Sequence, residues 1–281
     1  MQTQWANQQK VSDYFESSSA YWKKIYFGAR LLPTIYRERH GTALGWVRKL
    51  GLGVDARILD IGCGAGRMTI ALARIGHAVD AMDFATAMLQ MTRKNAVKRG
   101  LQDRIRLHSA DVEALPFEAQ VFDLVIAIGV IPWLHSEHGA LQEMKRVLKP
   151  GGYLLVTADN DARLNRILDP LSCPLFKPLR VTAKRLLQQC KLWPPHSGFQ
   201  PKRHYPHEVN RLIGNCNFKK VKSCTVGFGP FTLFGKELFT DRIGVKLHRR
   251  LKMLASRKVL LPLRWTGSHY LVLARKYSGF R

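Results

Sequence analysis

The chain has 281 residues, 46% of them hydrophobic, with 45 Lys+Arg against 20 Asp+Glu for a formal charge of +25. That length suits one large α/β domain, or one domain with a modest cap, around a sizeable core. No apolar run approaches the roughly 20 residues that cross a bilayer, the start Met1-Gln2-Thr3-Gln4-Trp5 has no basic segment leading into an apolar one, and five scattered cysteines without a CxxC pair suggest neither a zinc site nor a disulfide framework.

In chain order, Arg57-Ile58-Leu59-Asp60-Ile61 reads as a first strand and Arg67 to Ile75 as a helix, with Met68, Ala71, Leu72 and Ile75 on one face. Ala78 to Asp83 reads as a second strand, Ala85 to Lys98 as a helix, and Arg104 to His108 as a third strand. Phe122 to Ile128 is a continuous apolar run, as a strand buried on both faces requires. A helix from about Gly139 to Leu148 stops at Lys149-Pro150-Gly151-Gly152, and Tyr153 to Thr157 follows as the fifth strand. This alternation predicts an α/β fold with a doubly wound, mostly parallel seven-stranded sheet. Residues 160–205 change rhythm and read as an inserted helical cap rich in Pro, Arg and Lys, with leucines from Leu164 to Leu187. Pro206 to Cys216 suits a helix, Phe218 to Val226 and His269 to Ala274 suit strands, and between those strands lie a Gly/Phe-rich insertion (227–235) and a basic helix, Val245 to Leu254.

The charge is uneven: residues 1–160 sum to +5 and residues 161–281 to +20. The second half therefore either meets an anionic partner or carries a merely solvated basic surface.

The chemistry concentrates at Asp60-Ile61-Gly62-Cys63-Gly64-Ala65-Gly66, a glycine loop between a strand and a helix. Such a loop lets backbone approach a ligand closely. The dinucleotide fingerprint would place a glycine at position 67, which is Arg67 here. Asp60 would repel a phosphate and suits a cationic amino-acid portion, so the loop favours an aminoacyl-sulfonium ligand over a dinucleotide. Asp83 closes the second strand, where ligands of open α/β sheets sit, and can accept from both ribose hydroxyls; Asp80 lies inside the strand. Asp111, past the third strand, either accepts from an adenine amino group beside the Val112 N–H or caps a turn.

Taken together these segments, with Met82-Asp83-Phe84, Met88-Leu89, Asp111 to Phe117, Phe122 to Val125 and Arg146 to Gly152, resemble the class I S-adenosylmethionine-dependent methyltransferases over roughly residues 55–160. Within that class they look like the small-molecule branch containing quinone-biosynthesis and magnesium-protoporphyrin methyltransferases. The resemblance implies S-adenosyl-L-methionine as cofactor, bound around Asp60, Gly62, Cys63, Gly64, Gly66, Asp83, Phe84, Met88, Asp111 and Val112, with Ile128 and Gly129 facing the methyl donor. It also implies a helical lid over residues 1–50, with Tyr14, Tyr21 and Trp22 either covering the cofactor or packing on the core. The cofactor-binding core would then be 51–160, the basic cap 161–205, and the end of the sheet with its insertion 206–281. Tyr36-Arg37-Glu38-Arg39-His40 either supplies an arginine to the cofactor carboxylate or forms a solvated face.

Methyl transfer is an in-line displacement at an activated carbon, so positioning and exclusion of water dominate. An oxygen acceptor benefits from a base. His135, in Ile131-Pro132-Trp133-Leu134-His135 after the fourth strand, is the catalytic candidate, the alternative being a structural loop histidine; His196, His204 and His207 are weaker ones. No metal-ligand spacing stands out. The end of the fourth strand lacks the Asn/Asp-Pro-Pro-aromatic motif of base-amine methylation, and no paired catalytic cysteines appear, which lowers nucleic acid as acceptor. The basic half interleaves apolar residues instead. Leu247, Leu251 and Leu254, with cations between, suit either a membrane surface or docking on the core. Phe228, Phe231 and Phe234 either line an acceptor pocket or pack. The expectation is therefore a cytoplasmic enzyme, peripheral on the inner face of a membrane, that methylates a hydrophobic small molecule or lipid-like acceptor at oxygen. The alternatives are RNA methylation and a non-catalytic cofactor-binding domain.

Overall fold

A computed structural model describes residues 11, 13–17, 28, 30–182, 201–256 and 262–277. The first half runs α1 (Leu31–Arg48), β1 (Arg57–Ile61), α2 (Arg67–Arg74), β2 (Ala78–Asp83), α3 (Thr86–Val97), β3 (Ile105–Ser109), β4 (Phe122–Ala127), α4 (Glu137–Val147) and β5 (Leu148–Asp159). The second half adds α5 (Leu164–Leu168), α6 (Pro206–Asn215), β6 (Phe218–Val226), a two-residue-per-strand hairpin β7 (Thr232–Leu233) and β8 (Lys236–Glu237), α7 (Asp241–Ser256) and β9 (His269–Lys276).

Seven strands make one sheet in the order β3-β2-β1-β4-β5-β9-β6. Strands β1 to β5 pair in parallel, and β9 runs antiparallel to both β5 and β6. Side chains alternate across the pleat into two cores. Leu59, Ile61, Val125 and Leu154 pack with Leu141, Met144 and Ile213 on one face. Ile58, Leu124, Ile126 and Leu155 pack with Trp46, Met68 and Leu72 on the other. Helices thus cover both faces, which is why β4 reads as an unbroken apolar run. Helix α4 starts at Glu137, earlier than the periodicity suggests, because Ser136 caps it by accepting from the Gly139 N–H at 3.1 Å.

The sheet and its expected strands agree closely, and the differences have physical causes. Helix α4 ends at Val147, one residue before the expected Leu148, because β5 begins at once, at Leu148, and the Pro150-Gly151-Gly152 turn is absorbed by a register shift opposite Phe122–Leu124. The described part of the expected cap holds α5, a 3-10 turn, Pro174–Phe176, and helical residues 177–182; Leu186 and Leu187 lie outside the described residues. The Gly/Phe-rich insertion is the β7–β8 hairpin. The leucine face of α7 is not free for a membrane: Val245, Leu247 and Leu251 pack against Leu31, Ile35, Phe228 and Phe231. Burying such side chains stabilises by about 1.5–3 kcal/mol each, so the core outcompetes solvent for this stripe. Among the described residues no helix is long and apolar enough to cross a membrane.

Candidate active site

The loop after β1 brings backbone to the carboxyl end of the sheet. Gly62, Gly64 and Gly66 all have positive φ (64°, 55° and 78°), which glycine adopts without penalty. A Cβ on Gly62 would lie 2.5 Å from Val130 Cγ2, so the close approach of this loop to the end of β4 requires glycine. A Cβ on Gly66 would lie 2.8 Å from the Thr92 side chain, which is a helix-packing requirement. Asp83 is the hinge between loop and sheet: its carboxylate accepts from the Gly64 N–H at 2.9 Å and from the Ala85 N–H at 3.0 Å. Each carboxylate oxygen retains capacity for a further donor. Burial pushes the Asp83 carboxyl up, against the backbone N–H groups of Ala85, Gly64 and Phe84 that pull it down.

These residues wall a cleft with about 1050 Å³ of empty space, open to solvent. Gly62, Gly64, Asp83, Phe84, Met88, Val112, Ile128 and Gly129 all line it, so eight of the expected cofactor residues converge. Val130, Pro132, Trp133 and Leu134 extend the wall past β4, and Phe15, Tyr36 and Arg39 close it from the N-terminal side. Residues 13–17 are helical. There Tyr14 stacks on Trp133 (centroids 5.3 Å, 24° between planes), Phe15 meets the same ring edge-on at 5.1 Å, and Glu16 accepts from the Ala87 N–H at 3.1 Å. The last contact caps the first turn of α3, so the lid is fastened to the helix that follows Asp83. Tyr21 and Trp22 lie outside the described residues, as does His196.

Several expected residues point elsewhere. Asp60 is 2% exposed and accepts from the Thr69 hydroxyl at 2.6 Å behind the loop; burial, with the Asp83 charge a smaller contributor, raises its carboxyl to about 7. The Cys63 thiol is buried toward Gly64 and Thr92, and burial raises it well above its ordinary value. Asp111 accepts from the Glu113 N–H at 2.9 Å, the turn-capping role, while its neighbours Ala110 and Val112 line the cleft. Asp80 is engaged by Arg57, Arg106 and His108 within 3.3 Å, inside the sheet and away from the cleft. His135 is exposed and is not among the lining residues; its carbonyl accepts from Lys202 Nζ at 3.1 Å. His204 pairs with Glu137 at 3.1 Å, and His207 stacks on Tyr205.

Arg39 was expected only as one of two arginines in the Tyr36–His40 segment, and Asp159 escaped the motif reading. Arg39 is 3% exposed, lies against the Tyr36 ring (4.4 Å), and its Nε is buried with no hydrogen-bond partner among the described residues. Its guanidinium occupies the space a side chain on Gly129 would take: a Cβ there would lie 3.2 Å from Arg39 Nη1. Gly129 thus makes room for a buried cation in the cleft. Asp159, ending β5, also lines the cleft and pairs with His269 Nδ1 at 3.2 Å. Burial works to raise Asp159, but the His269 hydrogen bond and the nearby charges of His269, Arg39 and Arg163 outweigh it and hold the carboxyl below its ordinary value. Among the described residues no group of three His, Cys, Asp or Glu side chains could hold a metal ion.

Residues 59–156 match the family described as a methyltransferase domain. A ubiquinone biosynthesis O-methyltransferase of Methylocella silvestris is 38% identical over 175 residues, covering 62% of this chain and 62% of that protein. The ubiquinone/menaquinone biosynthesis C-methyltransferase UbiE of Azotobacter vinelandii is 37% identical over 130 residues, 44% of this chain and 51% of that one. The matches to the first curated relatives span 32% to 62% of those proteins' own length. The crystal structure of magnesium protoporphyrin IX methyltransferase from Synechocystis, solved with S-adenosylhomocysteine, covers 96% of this chain and 99% of its own at a TM-score of 0.61 and 15% identity, and so shares the fold. Residues 59–156, which run from β1 to β5 and carry the glycine loop and Asp83 at one cleft, thus form a methyltransferase domain by their family match, on a sheet of the fold seen in the S-adenosylhomocysteine-bound enzyme.

Proposed function

We propose that this protein transfers a methyl group from S-adenosylmethionine to an oxygen of a hydrophobic small-molecule or lipid-like acceptor presented at a membrane surface. The observation that carries the reading is the pairing of opposite charges across one cleft: Asp83 at the end of β2 and the buried Arg39 from α1, whose Nε has no hydrogen-bond partner among the described residues. An adenosyl and aminoacyl ligand matches that pair. Asp83 would accept from ribose hydroxyls, Arg39 would take the carboxylate, and Phe84, Met88 and Val112 would enclose the base. When bound, the cofactor supplies an activated methyl group.

This chain's own contribution is then placement and dryness. Trp133, Phe15 and Tyr14 close the mouth, and Gly62 keeps the β1 loop against Val130. The acceptor would lie beyond β4 and β5, where Asp159 and its partner His269 offer a hydroxyl a hydrogen-bond acceptor inside the cleft. His135, exposed on its loop, is less well placed for that work. The apolar wall of Trp133, Pro132 and Leu134, and relatives named for quinone biosynthesis, favour a hydrophobic acceptor over a nucleic acid. The lid over residues 1–50 and the basic cap over 161–205 belong to the same proposal as the parts that close on cofactor and acceptor.

Incubating the protein with methyl-labelled S-adenosylmethionine and a membrane lipid extract tests the reading. Label moving into the organic phase, and less of it with Asp159→Asn, is the expected result. Label in added RNA alone would contradict it.

A further inference from the structure

The strongest feature left unused by methyl transfer is a patch of exposed apolar side chains in the basic half of the chain. Phe234 is 60% exposed, Leu238 51% and Phe239 41% on the β7–β8 hairpin and its exit. Leu168, Leu171 and Leu175, on α5 and the turn after it, are 59%, 54% and 84% exposed. The two segments form one unit. Asp169, itself 2% exposed, accepts from the Thr232 hydroxyl at 2.5 Å and from the Gly235 N–H at 3.0 Å. Leu171 Cδ1 lies 3.6 Å from where a Cβ on Gly235 would be. A buried carboxylate therefore pins the hairpin tip onto the turn, and the apolar side chains around it are displayed on a fixed frame.

The tip is built against its own local preference. Phe234 (φ 49°) and Gly235 (φ 76°) are the two loop residues between the paired Leu233 and Lys236. A two-residue loop with both φ positive favours Asn-Gly, and a bulky aromatic at its first position is unfavourable. Phe234 nonetheless keeps most of its surface in solvent. A side chain kept in strained backbone and held in water fits contact with something outside the chain. The charge says what. Residues 164–182 and 227–246, which carry the patch, hold Arg166, Lys177, Arg180, Lys236, Arg242 and Lys246 against Asp169, Glu237 and Asp241, a net charge of +3. Asp241 is already taken by Arg30 at 3.5 Å and by the Leu31 N–H at 3.0 Å.

We infer that the β7–β8 hairpin and the turn around Leu171 form a docking face for an anionic phospholipid bilayer, with Phe234, Leu238 and the neighbouring leucines entering the headgroup layer and the lysines and arginines meeting its charge. The inference deepens the proposed function by naming the surface that meets the membrane, and it rests on that reading only for the identity of the acceptor. The placement also shortens the acceptor's path. A second cleft, with about 780 Å³ of empty space, lies against Phe231 and Phe239 of this region and against Leu31, Leu32 and Pro33 of α1. Leu32 packs in turn with Tyr36 and Met88, which line the cofactor cleft. Four residues of helix, about 6 Å of rise, separate Leu32 from Tyr36.

Co-sedimentation of the full chain with vesicles of phosphatidylcholine, with and without phosphatidylglycerol, tests the face. The expected result is pelleting with the mixed vesicles, weakened by salt, and little with phosphatidylcholine alone. The double variant Phe234→Asn with Leu238→Ser is expected to lose about tenfold or more in vesicle affinity. Its melting temperature should be equal or higher, and its S-adenosylmethionine binding unchanged. No pelleting, pelleting indifferent to the double variant, or binding to a structured RNA instead of vesicles overturns the inference. Failure of the wild-type chain to bind S-adenosylmethionine would overturn the proposed function and leave the vesicle result standing.

Discussion

Strands β2 and β6, one inside the sheet and one at its edge, obey opposite rules. In β2, Val79, Asp80, Ala81 and Met82 are all buried and the chain ends at Asp83 in the cleft. In β6, Lys219, Lys220, Val221 and Lys222 are exposed along the outer edge, where lysines discourage pairing with another chain. The contrast extends beyond these two strands. The nearly balanced half brings Arg39, Asp83 and Asp159 to one cleft. The basic half leaves Phe234, Leu238 and Leu175 in solvent. A residue's role is therefore set by which side of β5 it comes from as much as by its type.

That contrast can be broken or sharpened by substitution. The largest effect is expected at Asp60, whose raised carboxyl makes ionisation in the folded chain unfavourable. Its folded value, about 7, lies above the ordinary 3.8, so stability falls as pH rises between those values and the penalty is complete above about 7. Asp60→Asn keeps an acceptor for Thr69 and removes the penalty. It is expected to stabilise by up to about 4 kcal/mol at pH 8 and by little at pH 4, read from denaturation midpoints. Next, Gly66→Ala should cost about 3 kcal/mol, from a non-glycine residue at positive φ and the collision with Thr92. A smaller loss would show that α3 shifts to relieve it. Arg39→Met should weaken S-adenosylmethionine about thirtyfold, roughly 2 kcal/mol, while leaving methylthioadenosine, which lacks the carboxylate, unchanged. Equal loss for both ligands would move Arg39 from carboxylate recognition to cleft structure. The smallest effect belongs to the basic half: Phe234→Asn should raise stability by about 1 kcal/mol, because asparagine tolerates the left-handed region.

The cofactor half was legible because its signals are local. Strand periodicity, the Gly62-Gly64 spacing and the position of Asp83 at a strand end each follow from residues close in sequence. Arg39 and Asp159 were harder, since an arginine in a charged run and an aspartate after a strand acquire meaning only when α1 folds over Gly129 and β9 sets His269 opposite β5. Asp60 and Asp111 show the converse. Each has the residue type and the spacing for ligand contact, yet one oxygen of each already accepts within the fold, from the Thr69 hydroxyl and the Glu113 N–H. In the basic half, amphipathic spacing found α7 but not its partner. Leu247 and Leu251 face Leu31 and Phe228, and the exposed apolar surface lies instead on a two-residue hairpin too short to show a period.

The central claim is that Asp83 and the glycine loop form a site for S-adenosylmethionine. Calorimetric titration of the wild-type chain and of Asp83→Ala with that cofactor tests it most directly. The account predicts saturable one-to-one binding by the wild type and at least about a hundredfold weaker binding by the variant at an unchanged fold. Equal affinity in the two, or heat from the wild type only with a nicotinamide dinucleotide, would contradict it.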